Sequence, residues 1–366
     1  MKVLIDATPL LIRSAGVKNY LYHWIRAMRR AASAGTIETL PSLDQDAALN
    51  HERSVAGRWD TYKWLARLAM ANHTSLDPFR TMADRADVFH VSGLLRHPSP
   101  KARLTTTLHD LTTWMMPELH PKANREADLT LAEHLRRAHR IIAVSECSRQ
   151  DAVKVLRLPP SKIQVIYPGI ADAFFDVPPQ RVKDVRVRYG LKRPFVLSIG
   201  TVEPRKNMAG LISAFQSMPA SLLDEFDLVI AGPMGWVNKD TEERVRTVRY
   251  LGYVPECDIA PLTAGAAIFA YPSLYEGFGF PVVQAMAAGI PVITSNVSAL
   301  PEVAGDAAVL VDPRSQSEIC DALTRLLLYP AVGKRFADRG RQRAEQFRWD
   351  ICATKSLQFF REVVDN

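Results

Sequence analysis

Residues Tyr271 to Ser295 read YPSLYEGFGFPVVQAMAAGIPVITS. An apolar run, Ala267–Tyr271, ends at Pro272-Ser273. A Glu-Gly-Phe-Gly turn follows, and Pro281–Ala288 carries residues that favour a helix. Gly289 stops that helix, and Pro291–Thr294 opens a second apolar run. Strand, turn, helix, strand in so short a span predicts a parallel crossover. Pro281 suits a first helical position, where its missing N–H has no partner to lose. Such a turn lies at the carboxyl end of a strand and opens a helix, the place where open parallel sheets bind anionic groups.

The same alternation extends both ways. Strands are predicted at Lys2–Asp6, Val88–Val91, Leu104–Leu108, Ile141–Val144 and Ile163–Ile166, then at Phe195–Ile199, Leu228–Ala231 and Ala308–Val311. Helical patterns fall between them, at Lys18–Arg30, Asn124–Ala138, Ser148–Leu156, Met208–Ser217 and Ser317–Leu328. Residues 35–55 are polar and mixed and read as a loop. Pro168-Gly169 and Val177-Pro178-Pro179 interrupt the alternation. The expected division is therefore a domain over 1–170, a linker over 171–192, a second domain over 193–346, and a terminal segment over 347–366. Both domains are α/β and doubly wound.

The 366 residues, 47% hydrophobic and 23% charged, suit two full-sized cores. No apolar run is long enough to span a bilayer. The N-terminus MKVLIDATPLLI is too short and too acidic at Asp6 for a secretory signal. Cys147, Cys257, Cys320 and Cys352 stand far apart, without CxxC or metal spacing, and read as free thiols of a cytoplasmic protein. The net charge of +7 falls wholly in residues 1–175, which hold 24 basic and 17 acidic side chains; residues 176–366 hold 22 of each. A basic first half suits an anionic partner, either a pyrophosphate-bearing substrate or the surface of an anionic membrane. Nothing indicates nucleic acid as that partner. Arg58–Met70 is an aromatic, basic candidate helix. Its periodicity favours Trp59, Tyr62, Leu65 and Ala66 covering the core, with an acceptor groove or a bilayer surface as the other readings.

The candidate site residues gather at strand ends. Glu276 beside an anion-binding turn needs donors to accept from, which sugar hydroxyls supply. Gly277, Phe278, Gly279 and Phe280 form the turn. Strand Phe195–Ile199 runs into GTVEPRKN, in which Arg205 and Lys206 suit a diphosphate, one as a planar fork and the other as a point charge. Gly16-Val17 follows the first strand, and His109-Asp110 follows Leu104–Leu108, so His109 is expected to face a cleft between the domains. Asp44-Gln45-Asp46 has metal-ligand spacing but lies in a polar loop, so no metal is expected. A nicotinamide enzyme is unlike this chain, which has no GxGxxG after its first strand.

Together these residues resemble the retaining glycosyltransferases of family 4. The ordered match runs through Gly16-Val17, His109-Asp110, Ala143-Val144-Ser145-Glu146, Gly200 to Asn207, Glu276 to Gly279 and Leu300 to Asp306, nearly the whole chain. The resemblance implies a GT-B fold, two Rossmann-like domains facing a central cleft, with a final helix, Trp349–Val364, crossing back to the first. It implies metal-independent, cofactor-free transfer of a hexose from a nucleotide-sugar donor, held by the second domain, with retention at the anomeric carbon. The acceptor, a glycan or lipid-linked oligosaccharide of surface polysaccharide synthesis, would sit on the first domain. GTVEPRKN and HDLTTWMMPE look most like the mannosyltransferases of the family, which favours GDP-mannose over a UDP-sugar.

Carried over by position, Glu276 is the first acid of the Glu-x7-Glu pattern and would contact the transferred sugar. Gly277 to Phe280 would offer N–H groups near the phosphates or the sugar. Arg205 and Lys206 would stabilise the departing diphosphate, His109 would hold a sugar hydroxyl, Gly16-Val17 would meet phosphate, and Tyr253 would lie near the base. Two positions depart from the pattern. Gln284 replaces the second acid, losing charge-assisted bonding worth about 1–2 kcal/mol, and Thr201 stands where many members have Arg. Gln284 also leaves open a weakened, nucleotide-sugar-binding or regulatory protein. Location at the inner face of the plasma membrane is a further expectation.

Overall fold

The computed structural model describes residues 1–14, 16–42, 48–74, 79–96, 98 and 101–365; the side chains of residues 125–128 are not described. The Asp44-Gln45-Asp46 stretch lies outside the described residues. The chain forms two compact units, Met1–Gly169 with Trp349–Asn366, and Ile170–Arg348.

The first unit holds a parallel sheet of β1 (Val3–Asp6), β2 (Ile37–Leu40), β3 (Val88–Val91), β4 (Arg103–Leu108), β5 (Arg140–Ala143) and β6 (Ile163–Val165), in the order β2-β1-β3-β4-β5-β6. The strands β1 (VLID), β3 (VFHV) and β5 (RIIA) are buried at every position but Arg140, which fits strands covered on both faces. Helix Gly16–Ala31 lies against the terminal helix Trp349–Asp365. There Trp24 Nε1 donates to Ser356 Oγ at 2.8 Å, and Tyr20 stacks on Trp24 at 5.3 Å. The last helix, though distant in sequence, thus completes the first unit's core.

The second unit holds β7 (Phe195–Ile199), β8 (Asp227–Ala231), β9 (Arg249–Gly252), β10 (Ile268–Tyr271), β11 (Val292–Ser295) and β12 (Val309–Val311), ordered β12-β11-β10-β7-β8-β9. The chain leaves β7 for β8 and β9 on one side, then returns to place β10 on the other. Sequence order therefore reverses between β7 and β10, and the carboxyl ends of those two strands flank the crevice where such sheets bind ligands. A Cβ at Gly232 would come within 2.1 Å of the Gly200 carbonyl oxygen, so the ends of β7 and β8 approach closely only because Gly232 lacks a side chain.

Three expectations change. Residues 35–55 are not all loop, since β2 pairs with β1 from Val3↔Ile37 to Asp6↔Leu40. Residues 171–192 carry the 3-10 turn Asp172–Phe174 and helix Pro179–Arg188, and they cluster with the second unit. In helix Arg58–His73 the residues turned to the core are Trp64, Leu68 and Ala71, while Trp59, Tyr62 and Ala66 are exposed. One stripe at i, i+4, i+7 covers the core, and it is offset from the stripe expected.

Candidate functional site

The second unit's crevice is built by two strand ends. After β7 the chain makes a 3-10 turn, Pro204–Lys206, and passes through Asn207 in the left-handed region at φ 54°. Asn207 Nδ2 donates to the carbonyl oxygens of Pro272 (3.2 Å) and Pro313 (2.6 Å), and Leu274 N donates to Arg205 O at 2.8 Å. These bonds hold the turn against the chain leaving β10. From there the chain reaches Glu276 and the helix Phe280–Ala287, capped by Gly279 at φ 96°. A Cβ at Gly279 would meet Leu300 Cδ2 at 2.7 Å, so geometry and space both require glycine.

Within this frame Glu276 is buried. Its Oε1 accepts from Lys206 Nζ at 2.5 Å, and its Oε2 lies 2.8 Å from Arg205 Nη1. Arg205 Nη2 reaches Glu203 Oε1 at 2.6 Å, and Arg205 Nη1 donates to the Tyr275 carbonyl oxygen at 2.8 Å. Lys206 Nζ also donates to Tyr271 Oη at 2.5 Å. Ser298 Oγ accepts from Glu276 N at 3.0 Å, fixing the backbone that carries the carboxylate. Glu203, Arg205, Lys206 and Glu276 carry two negative and two positive charges, so the cluster is electrically balanced.

Burial pushes the Glu276 carboxyl up, but the Arg205 and Lys206 charges overcome it and hold the group down at about 2. It is a carboxylate at any ordinary pH. Burial, and the adjacent Arg205, lower the Lys206 ammonium, while Glu276 and Glu203 oppose that shift. The Tyr271 phenol is pushed well up by burial and by Glu276, so it remains a protonated hydroxyl. The cluster can offer two cations to an anion and, once they turn away, carboxylate oxygens to hydroxyl donors.

The turn residues Gly277, Phe278 and Gly279 are buried beside this cluster in sequence. Phe278 meets Phe280 edge-on at 5.2 Å and Phe347 at 5.6 Å. Gln284 lies one turn after Phe280 on the same half-exposed row of the helix, whose other row, Val282, Val283, Met286 and Ala287, is buried. Thr201 directly follows Gly200 at the end of β7, and Tyr253 follows β9 and is exposed.

The remaining expected residues belong to the first unit. His109 follows β4, and its ring meets Tyr20 edge-on at 4.9 Å. Its carbonyl oxygen accepts from Ser148 Oγ at 2.9 Å. Burial lowers the imidazole to about 4, against the pull of Asp110, so the ring is neutral at pH 7. Gly16 opens helix Gly16–Ala31 and is exposed, with Val17 half-buried behind it. Asp6 ties β1 to β3, accepting from Thr8 Oγ1 and Ser92 Oγ, both at 2.6 Å.

Several polar residues of these clusters had no role in the sequence reading. Glu203 stood in the quoted GTVEPRKN, two residues before Arg205, and its acidic type beside a cation was the available signal. Tyr271 carried a hydroxyl at the end of an apolar strand. Ser298, 22 residues after Glu276, carried none. Lys18 is fully buried two residues after Gly16; its Nζ donates to Ile12 O at 2.7 Å and Arg53 O at 2.6 Å, pinning two loops beside that helix start.

Two Rossmann-like α/β units, each built on a six-stranded parallel sheet, make the GT-B fold. Residues 15–174 match the family described as Glycosyltransferase Family 4, and residues 183–343 match Glycosyl transferases group 1. The chain is 30% identical to the O-antigen chain mannosyltransferase B of Escherichia coli, over 99% of this chain and 100% of that one. It superposes on sucrose-phosphate synthase from Thermosynechococcus elongatus (TM-score 0.75, 19% identity, 99% of each chain). It superposes likewise on Anabaena HepE in complex with UDP and glucose (TM-score 0.72, 18% identity, 99% of this chain and 100% of that one). The chain belongs to glycosyltransferase family 4.

Proposed function

We propose that this glycosyltransferase moves mannose from GDP-mannose, with retention at the anomeric carbon, to a glycan or lipid-linked acceptor in surface polysaccharide synthesis. The observation that carries the reading is the buried Lys206–Glu276–Arg205 cluster at the carboxyl ends of β7 and β10. The likeness to an O-antigen mannosyltransferase supports the choice of sugar and of acceptor class.

In this mechanism the donor diphosphate draws Arg205 and Lys206 away from Glu276. The two cations then stabilise the leaving diphosphate, a charge that grows in the transition state. Glu276, kept ionised, becomes free to accept hydrogen bonds from sugar hydroxyls. The N–H groups from Gly277 to Phe280 face the donor at the helix start. Neutral His109 contributes a hydrogen bond to a sugar hydroxyl, and Gly16-Val17 approaches phosphate. Tyr253 borders the base, and Gln284 binds a ribose hydroxyl through its amide. Neither a metal nor another cofactor takes part in the proposed transfer.

The test is nucleotide release across a panel of donor sugars, with lipid-linked and soluble glycan acceptors. GDP release specific to GDP-mannose is expected, lowered about 100-fold or more in Glu276→Gln and Lys206→Ala. Glu276→Gln should also bind GDP more tightly than the native chain by calorimetry, because its carboxylate no longer competes for the cations. Unchanged turnover in both folded variants, or binding of donors without turnover of any, would overturn the reading. The latter result would favour a nucleotide-sugar-binding protein, the role that Gln284 also allows.

A further inference from the structure

A cavity of about 420 Å³ opens at the amino-terminal edge of the first unit's sheet, lined by Arg103, His139, Arg140, Ser161 and Val363. Arg103 begins β4 and Arg140 begins β5. Ser161 lies in the 3-10 turn before β6, and Val363 comes from the terminal helix. His109 follows the other end of β4, about 20 Å away along a six-residue strand. The cavity is therefore separate from the carboxyl strand ends that carry this unit's expected site residues.

The fold sets its polar groups in place. His139 N donates to Leu104 O at 2.7 Å, and Leu104 N donates to His139 Nδ1 at 3.0 Å. The ring is thus clamped to β4 with its proton on Nε2, as a donor. Arg140 donates through Nη1 to Glu362 at 3.0 Å and through Nη2 to Gln164 at 2.8 Å, with its guanidinium 5.2 Å over the Phe359 ring. Lys162 Nζ donates to Arg136 O at 2.7 Å, tying the turn that carries Ser161 to the chain leading into His139. Arg103 is half-buried, and its guanidinium makes no hydrogen bond or ion pair among the described residues.

Charge and lining name the ligand. Glu362 balances Arg140. Asp87, whose carbonyl oxygen accepts from Arg103 N at 3.0 Å, turns its carboxylate to the Lys2 amide at 2.6 Å and the terminal ammonium at 3.8 Å. Arg103 is left as an uncompensated positive charge beside two further donors, His139 Nε2–H and the Ser161 hydroxyl. A planar fork with adjacent donors suits the oxygens of a phosphoryl group. The volume falls in the range of small-molecule sites, beyond what a single ion fills. Ser161 offers a hydroxyl and Val363 an apolar wall, while no Phe, Tyr or Trp is among the described lining residues for a base to stack upon. A sugar phosphate matches that set better than a nucleotide.

We propose that the Arg103–His139–Arg140 cavity at the amino-terminal edge of the first sheet binds a soluble sugar phosphate, with the phosphoryl group on Arg103 and the sugar against Ser161 and Val363. Bound there, the ligand joins the starts of β4 and β5 to the terminal helix and stabilises the first unit by mass action. The inference goes beyond the transfer reaction and does not rest on it.

The test is isothermal titration calorimetry of the full chain with glucose 6-phosphate, inorganic phosphate and glucose, with thermal melting read alongside. Glucose 6-phosphate is expected to bind and to raise the melting temperature, inorganic phosphate to bind more weakly, and glucose not to bind. Arg103→Ala should weaken glucose 6-phosphate binding by about tenfold or more, the worth of a charge-assisted hydrogen bond, and Arg103→Lys should restore part of it. Both variants change a side chain without a partner among the described residues, so native melting without ligand and unaltered nucleotide release should accompany the loss. Lys206→Ala, in the second unit, should leave this binding intact, which separates the cavity from the donor crevice. The proposal is overturned if glucose 6-phosphate fails to bind at millimolar concentration, if Arg103→Ala binds it like the native chain (an adventitious ion only), or if Lys206→Ala abolishes it. It is equally overturned if phosphatidylglycerol vesicles alone bind in an Arg103-dependent way, which would make the ligand a lipid headgroup. Absence of nucleotide release in every chain would sink the transfer reading and leave the sugar-phosphate result intact.

Discussion

At the scale of single residues, burial makes each ionisable group depend on its neighbours. His90 is almost completely buried between Thr105 Oγ1 and Thr107 Oγ1, both at 3.0 Å, and burial, reinforced by His109, lowers its imidazole from 6.5 to about 3. As pH falls through 6.5 the unfolded chain takes up this proton first, so the native state loses stability from there down toward about 3. By pH 5 the loss from this one group is about 2 kcal/mol. Urea unfolding of the first unit at pH 7 and pH 5 should show it, and His90→Gln should flatten the difference. An equal slope in the variant would mean that other groups set it. Glu276 follows the opposite chemistry to the same sign: its value is depressed, so its contribution is present above the ordinary carboxylate range and lost only toward about pH 2. The location of Glu276, Arg205 and Lys206 at strand ends was legible in the sequence. Their mutual pairing was not, because 70 residues separate Lys206 from Glu276 and only the adjacency of β7 and β10 joins them.

Among the elements, the strands that escaped the sequence reading share a position. β2 (Ile37–Leu40) and β9 (Arg249–Gly252) are outer strands of their sheets. An edge strand is paired on one side only, so IETL and RYLG carry Glu, Thr and Arg where inner strands carry Val and Ile. Without a continuous apolar run they blend into the surrounding loops. Helix Arg58–His73 misled for the complementary reason: apolar residues on both faces leave more than one buried stripe compatible with the pattern. The turn at Gly279 was the most legible element, and its geometry gives a sharp expectation. Gly279→Ala combines a positive φ with a Cβ 2.7 Å from Leu300 Cδ2, and it should cost about 1–3 kcal/mol of the second unit's stability. Thermal unfolding of the variant measures this. A melting curve identical to the native one would show that the helix start can be rebuilt without its glycine.

On the level of the whole molecule, the first unit is assembled from both ends of the chain. Trp349, Leu357, Phe359, Phe360 and Val363 are buried in it although they follow the entire second unit in sequence. Each such side chain is worth roughly 1.5–3 kcal/mol when buried, and together they rival the 5–15 kcal/mol that stabilises a typical domain. A chain ending at Arg348 should therefore lose the first unit while keeping the second. Limited proteolysis should cut it throughout residues 1–169 and spare 170–348. Protection of both stretches would show that the terminal helix is dispensable to the core.

The sequence by itself determined what short-range chemistry can specify: inner strands as apolar runs, helix starts as Gly and Pro at set positions, and the family through an ordered series of such turns. Tertiary structure alone decided which strands became neighbours, and with them the Glu203–Arg205–Glu276–Lys206 charge balance, and which stripe of helix Arg58–His73 faces the core. The reason is physical. A charge pair or a core contact depends on separation in space, and in a doubly wound sheet the order of strands in space differs from their order along the chain.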